Sequence, residues 1–165
     1  MTEQIISNDT VVIERTFDAP VDIVWQMWTK AEHFSNWFGP KGFTIPVAEM
    51  DARVGGKRLI CMVSPDGNMK MWFTGEYTEV VPNERLVYTD SFADENGNVV
   101  AQPNGSMSVP STVTVVFEDL GGRTKMLMTH AGLPTEQQQK GSLQGAIAGW
   151  GQSFNKMADY IKQTA

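Results

Sequence analysis

Residues 143–161 read LQGAIAGWGQSFNKMADYI, and within them Leu143, Ile147, Trp150, Phe154, Met157 and Ile161 recur at four- and three-residue spacing, one face of an α-helix. Burying six such side chains is worth roughly 1.5 to 3 kcal/mol each, which outweighs about 1 kcal/mol for each of the interior glycines Gly145, Gly149 and Gly151. The spacing therefore predicts a long amphipathic helix, and Thr135 followed three positions on by Gln138 forms a capping-box pattern ahead of it. Gly141, Gly145, Ala148 and Gln152 lie on the opposite face, open either to solvent or to the close approach of a second copy of the chain.

A helix with such an apolar stripe needs a sheet to lie against, and the preceding residues supply one. In VVIERTF (11–17) Val11, Ile13 and Phe17 share a face, with Arg15 set among them. Pointing inward, Arg15 would need an acidic partner or a ligand anion; an outward or rim position is the simpler reading. Asp18 as N-cap with Pro20 in the first turn starts a helix of about residues 20–30, striped by Val21, Val24, Trp25 and Trp28. A second short helix over 32–38 carries Phe34, Trp37 and Phe38 and ends at Gly39-Pro40. Strands follow at 43–54, 57–63, 69–81, 85–92, 111–120 and 123–130, separated by turn clusters, with Pro46 marking an edge or a bulge. The expectation is an α+β domain over 1–165, core about 10–163, whose curved antiparallel sheet of about seven strands wraps the C-terminal helix. Residues 93–110, ADENGNVVAQPNGSMSVP, are long and polar enough to be a functional loop.

Composition narrows the function classes. The 165 residues fit one domain, with 41% hydrophobic and 19% charged residues. A net charge of −6 argues against nucleic acid or an anionic membrane as partner. Cys61 is the sole cysteine, the N-terminus lacks a secretion signal, and no apolar run is long enough to span a bilayer, so a soluble cytoplasmic protein is expected.

Several ordered blocks carry a family likeness: DAPVDIVW, HFSNWFGPKGF, EMDARVGGK, SPDG, GEYTEVVPNERLVYT, TVTVVFED with GGRTKM, and GWGQSFNKMADYI. From about Val11 to Ile161 the chain resembles the activator of heat shock protein 90 ATPase homologue family, within the START-like (SRPBCC) helix-grip superfamily. The resemblance implies a helix-grip fold with a cavity between the concave sheet and the C-terminal helix that in related proteins accepts an apolar or amphipathic small molecule. The eukaryotic activator adds a separate N-terminal chaperone-binding domain for which this chain has no room. Direct stimulation of the chaperone ATPase is therefore not expected, although a co-chaperone-like or stress-response interaction module is the alternative to a ligand carrier.

Candidate chemistry is sparse. Cys61, on a strand, reads as a small buried hydrophobe rather than a nucleophile. His130 closes the last strand at the expected cavity mouth, where it either donates to a ligand or bonds turn backbone. Two histidines and one cysteine make no zinc or iron site, Glu49 and Asp51 read as strand surface, and the glycine pairs 55-56 and 121-122 lie between strands, so neither metal nor cofactor is predicted. Ten methionines and five tryptophans suit a permissive apolar lining as well as a plain core. The expected ligand contacts are Trp37, Phe38, Trp72, Phe92, Met128, His130, Trp150 and Phe154, with the 93–110 loop and the first helical region as gate. A non-enzymatic carrier, monomer or homodimer, is the leading reading. An enzyme comes third and would need a polar cluster around Arg15, Asp90 or His130.

Overall fold

A computed structural model of the chain describes residues 2–7, 9–100, 110–132 and 142–164. Strand β1 (Thr2–Ser7) and strand β2 (Thr10–Phe17) precede helix α1 (Val21–Thr29) and helix α2 (Ala31–Trp37). Six strands follow, β3 (Thr44–Met50), β4 (Lys57–Val63), β5 (Lys70–Val81), β6 (Arg85–Ala93), β7 (Ser111–Asp119) and β8 (Thr124–Ala131), and helix α3 (Ser142–Thr164) ends the chain. All eight strands form one antiparallel sheet in the order β1-β2-β8-β7-β6-β5-β4-β3. The seven strands expected from alternation are present; the eighth, β1, extends the sheet by pairing with β2.

Alternation in register decides which side chains meet α3. Ile13 pairs with Met128, Met128 with Val115, and Ile60 with Phe73, so these residues share the concave face. Trp150, Phe154, Met157 and Ile161 of α3 pack into the same core cluster, as the helical stripe requires. On the other side of α3, Gly145, Ala148 and Gln152 are exposed. Thr135, Gln138 and Gly141 lie outside the described residues.

Two local expectations are refined. The cap of α1 is Pro20, not Asp18, and no side chain bonds there; the Pro20 carbonyl instead accepts from the backbone N–H groups of Ile23 and Val24 at 3.0 and 3.2 Å. Pro46 sits in β3, which is both an edge strand and one whose register shifts between Thr44 and Val47, so the missing donor costs no ladder bond. Helix α2 ends at Trp37 with Phe38 as its C-cap, and Gly39 then takes a φ of 97°, a left-handed turn that glycine enters without strain.

Candidate functional site

Helices α1, α2 and α3 bring an aromatic cluster against the concave face of the sheet, flanked by two polar groups that meet at Asp90. Phe34 stacks on Phe38 with ring centroids 4.7 Å apart, Phe38 meets Trp150 edge-on at 5.5 Å, and Trp150 lies 5.6 Å from Phe154. Trp28 and Trp37 close the cluster, their indoles donating to Met126 Sδ at 3.2 Å and to the Met27 carbonyl at 2.8 Å. Contact with α3 is reinforced at the α2 exit, where the Gly39 N–H donates to Ser153 Oγ at 3.0 Å and Lys156 Nζ donates to the Phe38 and Pro40 carbonyls, each at 3.3 Å.

In the first group β8 presents His130 between Trp150 and Ser111. An indole nitrogen only donates, so Trp150 Nε1–H gives its proton to His130 Nδ1 at 3.0 Å and the ring proton must sit on Nε2. His130 Nε2 then donates to Ser111 Oγ at 2.8 Å, and the Ser111 hydroxyl donates to the Asp90 carbonyl at 3.2 Å. Burial holds the His130 pKa down at about 4, so the ring is neutral. A serine that accepts a hydrogen bond from histidine is the reverse of an activated nucleophile, because the base is already carrying its proton toward the hydroxyl.

In the second group β4 places Arg58 on the face of Ile60 and Met62, almost fully buried at 3% exposure. Its guanidinium lies 3.8 Å from the Tyr88 ring centroid, 5.3 Å from Phe34 and 5.9 Å from Tyr77. Arg58 Nη1 approaches Asp90 Oδ1 at 3.6 Å, a loose ion pair. Burial pushes the Asp90 carboxyl up to about 6 against the pull of Arg58, and burial likewise raises the Tyr88 hydroxyl. Arg58 Nε, Tyr77 Oη and Asp90 Oδ1 are buried with no hydrogen-bond partner among the described residues. Such atoms are uncommon in a solid core and mark this end of the face.

Of the residues predicted as ligand contacts, Trp37, Phe38, His130, Trp150 and Phe154 come together at the aromatic cluster, and Met128 belongs to the same core cluster. Phe92 stands apart beside Phe73, at 5.4 Å. Trp72 does not join them. It pairs in register with Cys61, on the face away from α3, with Lys70 Nζ 5.6 Å from its ring. The strand run Met71-Trp72-Phe73 is apolar on both faces, so alternation alone could not choose between them. Cys61 is buried and its thiol is pushed up by burial, away from the reactive thiolate. Arg15 takes the rim position: it shares the concave register with Met126 and donates to Asn155 Oδ1 at 2.9 Å and to the Gly151 carbonyl at 3.4 Å, tying α3 to β2. Arg58, Tyr77 and Tyr88 were not singled out by the sequence. The available signal was the alternation of Arg58 with Ile60 and Met62. Among the described residues no group of three histidine, cysteine or carboxylate side chains could hold a metal ion, and no helix is long and apolar enough to cross a membrane.

A curved antiparallel sheet closed by one long C-terminal helix, with two short helices after the strand that starts the core, defines a helix-grip protein. The profile of the family described as Activator of Hsp90 ATPase homolog 1-like protein matches residues 18–162, and the chain belongs to that family. Among solved structures, a protein from Staphylococcus epidermidis is similar at 26% identity, covering 100% of this chain and 96% of that one with a TM-score of 0.80. A protein from Chromobacterium violaceum is similar at 26% identity, 93% and 96% coverage and a TM-score of 0.78. The AHSA1 protein from Silicibacter pomeroyi, at 21% identity, 94% and 99% coverage and a TM-score of 0.76, shares the fold. No curated protein sequence matches the chain.

Proposed function

We propose that this protein binds an amphipathic small molecule between the concave face of the sheet and α3 and does no chemistry on it. The observation that carries the reading is the group of buried Arg58 and Tyr77 with half-buried Asp90, three of whose enclosed polar atoms have no hydrogen-bond partner among the described residues, beside an aromatic cluster. Leaving a buried donor or acceptor unsatisfied costs about 1 to 3 kcal/mol, so its retention is understandable where a ligand group completes it. Phe34 touches both Arg58 and Phe38, giving an apolar path from the polar end toward Trp150. His130 Nε2–H donates to the Ser111 hydroxyl, so in the proposed site this pair is a structural contact. The α1 region is the proposed gate, residues 101–109 of the expected 93–110 loop lying outside the described residues, and a cytoplasmic setting is part of the reading.

Native mass spectrometry of protein purified from its own host, followed by denaturing analysis, tests this. A reproducible stoichiometric small-molecule adduct is expected, and loss of that adduct on replacing Trp150 and Phe154 by leucine. A clean apo mass, with no thermal shift across a lipid and metabolite panel, would contradict the carrier and favour a protein-interaction module.

A further inference from the structure

We infer that the Arg58 end of the interior recognises a neutral head group presenting a hydrogen-bond acceptor and donor side by side, of the carboxamide or phenol class, rather than a carboxylate or phosphate. The inference rests on the binding role proposed above and adds the chemistry of the head group to it.

Three atoms define what such a group must offer. Arg58 Nε–H can only donate, the ionised Asp90 Oδ1 can only accept, and the Tyr77 hydroxyl does either. Arg58 and Tyr77 are 3% and 0% exposed, so bulk water does not serve them. Charge at this end is already balanced, since Arg58 faces Asp90 at 3.6 Å. An incoming anion would set a second negative group beside Asp90 with one guanidinium to serve both, which disfavours ionisation of the pair. A neutral amide or phenol instead accepts from Arg58 Nε or Tyr77 and donates to Asp90 Oδ1, satisfying the site without adding charge. Gly75 stands across from Arg58 in register, and a Cβ there would lie 1.8 Å from the Thr89 carbonyl oxygen and 3.4 Å from Arg58 Cγ, so the backbone of β6 closes over this position.

The test uses three probes on the full chain near pH 8, where Asp90 is ionised: the uncharged apolar reporter N-phenyl-1-naphthylamine, decanamide and decanoate. Reporter displacement and calorimetry should show decanamide binding about tenfold or more tighter than decanoate, the ratio that one well-made hydrogen-bonded pair confers. Tyr77→Phe should weaken decanamide by roughly threefold to tenfold, while the affinity for the naphthylamine and the melting temperature stay level or rise, because the lost hydroxyl has no partner in the free protein. A purely structural role for Tyr77 would lower the melting temperature instead. Asp90→Asn, which leaves Arg58 without a counter-charge, should tighten decanoate. Equal or tighter binding of decanoate by the wild-type protein, or an unchanged decanamide affinity in Tyr77→Phe, overturns the inference while naphthylamine binding leaves the carrier reading standing. Failure of all three probes to bind overturns both.

Discussion

At the His130 end of the concave face each polar group from the Trp150 indole to the Asp90 carbonyl has a partner, whereas at the Arg58 end three buried polar atoms have none among the described residues. Asp90 belongs to both, through its backbone carbonyl in one and its carboxylate in the other, so the two groups adjoin. Satisfaction makes the first group a strut: it fixes the ring tautomer and ties α3 to β7 and β8. Incompleteness makes the second a receptor. The difference shows that polar character in the interior is not by itself a sign of function, and that hydrogen-bond accounting separates the two cases.

The comparison breaks most visibly if α3 is unpinned. Phe154 is fully buried against Trp28, Trp37 and Trp150, so Phe154→Ala should cost about 3 to 5 kcal/mol in denaturant unfolding. Little loss there would mean that α3 does not carry the core.

Acid titration sharpens it next, because the two ends respond with opposite sign. The His130 pKa falls from 6.5 unfolded to about 4 folded, so its neutral form supplies stability that is complete above pH 6.5 and is lost as pH drops toward 4. Asp90 rises from 3.8 to about 6, so the folded state binds the extra proton, and stability is greatest below 3.8 and lost as pH climbs toward 6. Each effect is worth roughly 3 kcal/mol at about 1.4 kcal/mol per pH unit, and in the wild type they offset one another. Asp90→Asn should therefore expose an acid loss between pH 6.5 and 4, and His130→Gln an acid gain between pH 6 and 4. Background from other groups cancels when the three unfolding curves are compared. Two variants with the same pH slope would contradict the assignment.

Smaller effects distinguish a strut from a receptor atom by atom. Trp150→Phe keeps an aromatic ring but removes the pyrrole N–H and leaves His130 Nδ1 unpaired, an expected cost of about 1 to 3 kcal/mol for the lost bond besides the lost packing. Tyr77→Phe removes a hydroxyl that has no partner, and its stability should stay within about 0.5 kcal/mol of wild type or rise. Thermal unfolding of the pair checks both.

The fold was legible where periodicity carried information. The stripe from Trp150 to Ile161 and the alternation in VVIERTF placed α3 and β2 correctly because each has one apolar face. Sequence could not resolve Trp72, set in a strand apolar on both sides, nor foresee β1, whose TEQIIS has no clean alternation. Arg58 escaped notice for a different reason. Lys57-Arg58 after a glycine turn looks like a solvated strand end, and its burial depends on the rings of Phe34, Tyr77 and Tyr88, which come from three other elements. His130 was placed at the right end of the right strand, but its bond to Trp150 joins residues that only the wrapping of the sheet around α3 brings together.

Side-chain nitrogen NMR during a decanamide titration tests the division of roles most directly. The account predicts that the Arg58 Nε–H resonance shifts and exchanges more slowly with water while His130 keeps its Nε2-protonated tautomer. An unmoved Arg58 signal together with a changed His130 tautomer would place the ligand's polar group at the other end and contradict it.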